Sequence, residues 1–402
     1  MKMKKLKTFY PKFLSLAACL KPKPKQKGEK YVKPHVGLVI KLQNTKQFAS
    51  SFNFVKKPLG NRNALHLPWQ PSRLPSQGFC SLSFSAKGKP GSETKREAQC
   101  SQERWAVGLI DGDGHIGMER LGVQKWGPCL KVTLANSNAR AIYRLKKILG
   151  VGRISRSQKY ISLRVRNVGG WEKLQALFSK FPLKTDKYYA AQMVFQSLHF
   201  KKTLLLESKA GGAAKVDQNS REFLNQTFKN WKENLKTMRG VPAPVWQASP
   251  EFVKAIREKP NLSPKTLLQT LSFYTPDFLN QILDPDWFAG FVEAEGRFYI
   301  LKNGQHGFAL GQAYNSLVVA GIHKWLQIKS ALKIRQNLLQ PYVLLNTKNQ
   351  ESLLKIASLL KNRMLGMKSF SFAVWLRTLR KKKPALSLKA RALLHKINQR
   401  QQ

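Results

Sequence analysis

One short pattern occurs twice in this chain and limits the fold more than any other feature. The first copy is Trp105-Ala-Val-Gly-Leu-Ile-Asp-Gly-Asp-Gly-His-Ile-Gly117; the second is Trp287-Phe-Ala-Gly-Phe-Val-Glu-Ala-Glu-Gly-Arg-Phe298. Gly108 aligns with Gly290, Asp111 with Glu293, Asp113 with Glu295 and Gly114 with Gly296, at a constant offset of 182 positions. Such a repeat implies two related domains in one chain. Each copy reads as an apolar helix with an abrupt end. Asp284 is placed to N-cap the second helix, with Pro285 at its first position. Gly114 and Gly296 are expected to end the helices in the left-handed conformation that suits glycine. Small residues recur four apart, Gly108 with Gly112 and Gly290 with Ala294. An interior glycine costs ~1 kcal/mol of helix propensity, which close approach of another backbone offsets. The two helices are therefore expected to pack on each other as the seam between the domains.

Both helices end in two acids, at the negative end of the helix dipole, where carboxylates are disfavoured by up to ~1 kcal/mol. Side by side, Asp113 and Glu295 resist joint ionisation unless a cation lies between them. Oxygen ligands without a thiolate pattern select a hard divalent ion, Mg²⁺ first and Mn²⁺ as the alternative. The bland alternative is two amphipathic helices with solvated acidic ends. Matched glycines and matched acids in both copies weigh against it.

The charge points the same way. The 402 residues hold 71 Lys+Arg against 21 Asp+Glu, a net charge of +50, which implies a polyanionic partner, DNA or RNA, ahead of an anionic membrane surface. Acids are scarce: none follows Glu351, and only Glu29, Glu93 and Glu97 precede Glu103. Four of them in two matching helix ends are hard to attribute to chance. Cys19, Cys80, Cys100 and Cys129 show no CxxC spacing, so neither a zinc site nor a disulfide framework is expected. No apolar run reaches the ~20 residues that cross a bilayer.

The two stretches resemble the nine-residue LAGLIDADG motif of homing endonucleases, with an acid at the eighth position each time. The resemblance covers residues 101–200 and 277–380, about half of the chain. It implies an α+β fold of two pseudo-symmetric αββαββα domains, with saddle-shaped antiparallel sheets and the motif helices at the domain interface. It assigns Asp113 and Glu295 as metal-binding catalytic acids, with the backbone carbonyls of Gly112 and Ala294 offered to the metals. Asp111 and Glu293, at the sixth positions, are expected to bond locally at the helix ends. The family carries a lysine in the solvent network around the scissile phosphate. Lys187 and Lys368 match that setting, 74 residues after Asp113 and 73 after Glu295. Each follows a Leu-containing turn and precedes an apolar-aromatic helix. The family often ends its second strand with a glutamine, and Gln312 fits that place in the second repeat, which implies a catalytic role for it beside the acids and lysines. The first repeat has Leu134-Ala-Asn136 there, so unequal active sites and unequal strand-cutting rates are expected.

Taken in order, residues 1–100 read as a basic, disordered leader, with a Lys-Pro run at 21–27 that cannot form a core. Its opening mimics a secretory signal, but Pro11 and Lys12 interrupt it. An organelle transit peptide and an extension of an organelle-encoded reading frame both fit. Residues 101–200 form repeat 1, 201–276 a linker with an amphipathic helix near 220–237, 277–380 repeat 2, and 381–402 a basic tail. Within the repeats, the periodicity predicts strands at 115–120, 130–134, 153–156 and 160–166, then at 297–302, 306–312, 334–338 and 342–346. Helices are predicted at 138–149, 171–181 and 187–198, then at 316–331, 351–362 and 368–380. Asn303-Gly304 marks a tight hairpin.

A two-stranded ribbon fits the major groove. His115, Lys131, Thr133, Arg153, Arg164 and Arg166 in repeat 1, and Arg297, Tyr299, Lys302 and Gln312 in repeat 2, are the candidate DNA-reading residues. The resemblance implies a site-specific, intron-encoded endonuclease that cuts both strands of a long asymmetric DNA site as a monomer with pseudo-two-fold symmetry. The alternative is a group I intron RNA maturase of the same fold, bound to its own intron RNA. A non-cleaving DNA-binding regulator is a third reading, against which Asp113, Glu295, Lys187 and Lys368 argue. No membrane partner is expected. The expected compartment is an organelle, chloroplast ahead of mitochondrion.

Overall fold

The computed structural model describes residues 92–122, 125–210, 218–247, 269–335, 342–381 and 384–399. The expectations for the leader up to residue 91 lie outside the described residues.

The first repeat runs α1 (Ser92–Asp113), β1 (Gly114–Gly122), β2 (Lys125–Ala135), α2 (Ala139–Leu149), β3 (Arg153–Arg156), β4 (Tyr160–Val165), α3 (Val168–Lys180) and α4 (Lys187–Ala210). The linker helix α5 (Gln218–Thr237) and the short helix α6 (Pro276–Ile282) follow. The second repeat runs α7 (Pro285–Glu295), β5 (Gly296–Ile300), β6 (His306–Ala313), α8 (Ser316–Trp325), β7 (Lys333–Arg335), β8 (Tyr342–Thr347), α9 (Gln350–Leu360) and α10 (Lys368–Lys381), and α11 (Pro384–Gln399) ends the described chain. Each repeat builds one four-stranded antiparallel sheet, ordered β1-β2-β4-β3 and β5-β6-β8-β7. The architecture is α+β, with the same element order in both halves.

Side chains alternate across each sheet, as a pleated strand requires. In the first sheet Ile116, Leu130, Val132, Ile161, Leu163 and Val165 are buried on the helix side. Phe298, Phe308, Leu310, Val343 and Leu345 do the same in the second. The other face of each sheet carries the polar residues.

Asp284 N-caps α7 as expected, accepting from Asp286 N at 2.8 Å and Trp287 N at 3.1 Å. The glycine stops differ from expectation. Gly296 is extended, at φ −76° and ψ 150°, and Gly114 does not have a positive φ. Glycine is needed there for room, because a Cβ on Gly114 would lie 2.4 Å from the Ile110 carbonyl oxygen and one on Gly296 2.5 Å from Val292 Cγ1. The chain passes straight from helix to strand, and a side chain would strike the last turn.

Other boundaries move too: the helix predicted at 187–198 runs on to Ala210, into the stretch read as linker, and the strand predicted at 130–134 begins at Lys125. The first motif helix starts at Ser92, inside the stretch read as leader. The helix predicted at 316–331 ends at Trp325, where Gln327 takes a φ of 54°. Strand β5 stops at Ile300, so Lys302 sits in the hairpin turn, which Gly304 closes at φ 81°. The stretch read as a basic tail forms α11, which buries Ala390 and Leu394 and packs on α10 and β5.

Candidate active site

The motif helices α1 and α7 pack backbone to backbone. A Cβ on Gly108 would stand 2.0 Å from the Trp287 carbonyl oxygen, and one on Gly290 2.0 Å from that of Trp105. Both are positions no real Cβ occupies, so only glycine permits this seam. Four residues on, a Cβ at Gly112 would meet Ala294 Cβ at 2.1 Å and Glu295 Cγ at 3.5 Å. The seam therefore draws the two helix ends, and the acids on them, together.

The sixth-position acids do not bond locally. Asp111 is fully buried and accepts from Lys184 N at 2.9 Å, Thr185 N at 3.2 Å, Thr185 Oγ1 at 2.6 Å and Trp287 Nε1 at 2.9 Å. Glu293 accepts from Gly366 N at 3.2 Å and Lys368 N at 2.9 Å, while burial raises its pKa. The loop before each closing helix offers free backbone N–H groups, which long-range carboxylates satisfy.

This bracing places the lysines. Lys187 Nζ donates to the carbonyls of Ile110 at 3.1 Å, Asp111 at 2.6 Å and Gly112. Lys368 Nζ donates to those of Val292 at 3.4 Å and Ala294 at 2.6 Å. These are last-turn carbonyls at the negative end of their helix, and that of Val292 also accepts from Gly296 N. The Gly112 and Ala294 carbonyls, expected to face metal, are thus engaged by the two ammonium groups. A carbonyl keeps a second lone pair for another partner. Burial lowers the pKa of both lysines, and the surrounding carboxylates oppose that shift.

Asp113 and Glu295 carry the strain of the arrangement. Burial raises the Asp113 pKa against the pull of Lys368 and Lys187. Burial and then the Asp113 charge push Glu295 up to about 7. Gln312 Nε2 donates to Glu295 Oε1 at 2.6 Å. Among the described residues neither acid is in an ion pair with a basic side chain. Two such carboxylates, both oxygen ligands and neither in an ion pair, fit a hard divalent cation. No group of three or more His, Cys, Asp or Glu side chains could hold a metal among the described residues, so other ligands would be carbonyl, water or phosphate oxygens.

A family model described as LAGLIDADG endonuclease matches residues 106–197. A protein of Schizosaccharomyces pombe described as "Probable intron-encoded endonuclease Cox1-I1b" is 30% identical over 308 residues, 73% of this chain and 68% of its own length. The chain belongs to the LAGLIDADG endonuclease family. Solved structures with some likeness include the LAGLIDADG meganuclease I-AabMI bound to uncleaved DNA, 17% identical with a TM-score of 0.48, over 74% of this chain and 98% of that one. Another is the LAGLIDADG homing endonuclease I-GzeII in complex with its DNA target, 16% identical with a TM-score of 0.48, over 73% of this chain and 96% of that one.

The open sheet faces of this LAGLIDADG protein sort the remaining candidates. In the first sheet His115 lies opposite Lys131, Lys131 opposite Arg164, and Arg164 opposite Arg153. Thr133 shares that face, opposite Ser162, and Arg166 follows two residues beyond Arg164. In the second sheet Arg297 and Tyr299 share the open face, with Tyr299 Oη bonded to Asn346 Oδ1 at 2.5 Å. Gln312 does not join them. It alternates with Phe308 and Leu310 and points to the helix side, where Glu295 is. By strand register Leu134 takes its place in the first repeat, so the Gln–acid bond is absent there. Sequence reasoning missed Glu119. It sits among these cations, 2.6 Å from Arg166 and 3.9 Å from Arg164. Its even spacing from His115 along β1 was the available signal.

Proposed function

We propose that this protein is an intron-encoded homing endonuclease that hydrolyses both strands of a long, asymmetric DNA site as a monomer, with divalent cations, Mg²⁺ first. The observation that carries this reading is the meeting of Asp113 and Glu295 at the end of a glycine-bared seam, each with a lysine folded beside it. Asp113 and Glu295 would hold the cations. When bound, these would polarise the scissile phosphate and acidify an attacking water. The protein's own part is positional. Gln312 fixes the orientation of the Glu295 carboxylate. Lys187 and Lys368, which nearby carboxylates hold toward the charged form against the effect of burial, would supply positive potential where phosphate charge develops. The open cationic sheet faces would take duplex DNA, with the strand ribbons in the major groove.

The test is cleavage of host DNA carrying the fused, intronless exon junction, with Mg²⁺ and with EDTA, by wild type and Glu295→Gln. Metal-dependent double-strand cutting that falls to nicking or vanishes in the variant supports the reading; binding without cutting by the wild type sinks it. The compartment proposed is an organelle. The chloroplast preference gains nothing from a relative found in a fission yeast, so a mitochondrial origin stands at least level with it.

A second reading, action on its own intron RNA, has one observation in its favour. On the helical side of the first repeat, α2 exposes Arg140, Tyr143 and Lys147 in one stripe. Beside it Phe370 is 49% exposed, with the Arg140 guanidinium 5.5 Å from its ring centre. Aromatic and guanidinium planes on a cationic surface suit unpaired bases. Splicing of the intron RNA with wild type and Tyr143→Ala decides it: no acceleration by wild type removes this activity.

A further inference from the structure

The two repeats exchange one polar contact reciprocally. Asn138 and Asn315 occupy the N-cap positions of α2 and α8, yet neither side chain caps its own helix. Asparagine is among the best local caps, so both side chains forgo an available bond. Each is spent on the other repeat. Asn138 Oδ1 accepts from Met367 N at 3.0 Å, and Asn315 Oδ1 accepts from Asp186 N at 2.9 Å. The two donors immediately precede Lys368 and Lys187.

We propose that Asn138 and Asn315 are crossed positioning residues: each holds in place the lysine of the opposite repeat, so that the two cleavage centres are set by one another. The arrangement rests on the role given above to Lys187 and Lys368. A backbone N–H fixed at the residue before a lysine restrains where that lysine's chain leaves the loop, while Glu293 or Asp111 holds the other side of the same turn.

The two halves are not equal. Asn315 Nδ2 also donates to Asp186 Oδ1 at 3.2 Å and lies 3.5 Å from Gln312 Oε1, and Gln312 in turn holds Glu295. Asp186 Oδ2 accepts from Gly240 N at 2.9 Å, tying the linker into the same chain of contacts. In the first half Leu134 and Met367 stand where Gln312 and Asp186 would, so among the described residues the Asn138 bond to Met367 N has no such extension. Asn315 therefore joins the lysine of one repeat to the acid of the other, and Asn138 acts on Lys368 alone.

The experiment follows each strand separately in a duplex labelled at both 5′ ends, under single turnover, with Mg²⁺. Lys187→Met and Lys368→Met define which strand each lysine serves. Asn315→Ala is expected to slow the Lys187 strand, and Asn138→Ala the Lys368 strand, each by roughly tenfold or more, as loss of orientation does. Duplex affinity should stay within about threefold, the pattern of a group that acts after binding. Asn138→Asp keeps the acceptor and should cut both strands at the wild-type rate. In the double exchange Asn315→Asp with Asp186→Asn the backbone N–H of residue 186 still donates to residue 315 and only the side-chain bond runs in reverse, so it should recover the strand that Asn315→Ala slows. Equal slowing of both strands by either alanine variant, or failure of both conservative variants to rescue, overturns the inference while leaving the lysine assignments intact. Unaltered cutting by the two Lys→Met variants overturns the lysine assignments, and this inference with them.

Discussion

The indole N–H of Trp287, in the second motif helix, donates to the carboxylate of Asp111, at the end of the first, over 2.9 Å. Two residues later Asp113 has no such donor among the described residues. Adjacent acids in one motif thus carry opposite burdens: Asp111 is held by four hydrogen bonds, Asp113 is buried against its preference.

That contrast predicts opposite stabilities. Asp111→Asn replaces an acceptor by an amide among four donors and should cost ~3 kcal/mol or more, since bonds to a charged group contribute about 1.5–3 kcal/mol each and orphaned donors add to the loss. Asp113→Asn should leave stability unchanged or raise it without divalent cations, while abolishing cleavage. Urea denaturation of both variants in EDTA, beside the cleavage assay, checks this.

Gly290→Ala tests the seam. Helix propensity favours alanine by about 1 kcal/mol, but its Cβ would lie 2.0 Å from the Trp105 carbonyl oxygen. Backbone cannot yield as a side-chain tip does, so the helices must part and net destabilisation at or beyond the ~3 kcal/mol of severe overpacking is expected. A variant as stable as wild type would contradict the packing described.

Glu295 makes metal-free stability depend on pH. A carboxyl raised from 4.5 to about 7 holds its proton more tightly when folded. Stability therefore falls as pH rises through that window, by up to ~3 kcal/mol, and is flat in this group below it. Glu295→Gln should remove that component, and a divalent cation should restore stability above pH 7. Melting temperatures from pH 4 to 8, with EDTA and with Mg²⁺, give the comparison.

On the first sheet, phosphate neutralisers and base readers should separate. Lys131→Ala should reduce the slope of log affinity against log salt by about 1, with base preference unchanged. Arg166, oriented by Glu119, is expected to read bases, so Arg166→Ala should relax preference at one position by ~1–3 kcal/mol of discrimination. Fluorescence-anisotropy binding to a panel of single-base target variants at several salt concentrations separates the two.

Much of this molecule was legible in order. Alternation marked the individual strands, Asp284-Pro285 its helix start, and Asn303-Gly304 its hairpin, because each signal acts within a few residues. The motif glycines predicted the seam since nothing but close backbone contact justifies them. Asp111 and Glu293 were misread as local because their partners, 73 to 75 positions later or in the other repeat, show no sequence pattern of their own. Gln312 was placed both at the acid and on the DNA face; strand register allows only the first.

The sequence alone pointed to two related halves, to a meeting of their acid-ended helices, and to a cationic surface suited to a polyanion: repetition, glycine spacing and net charge are properties of the chain. Tertiary structure decided what each polar group does. It set Asp111 and Glu293 to hold the lysine loops, folded Lys187 and Lys368 onto the helix ends, and crossed Asn138 and Asn315 between the repeats. Hydrogen bonds are directional and short, so their partners are chosen only once packing has brought distant segments within about 3 Å.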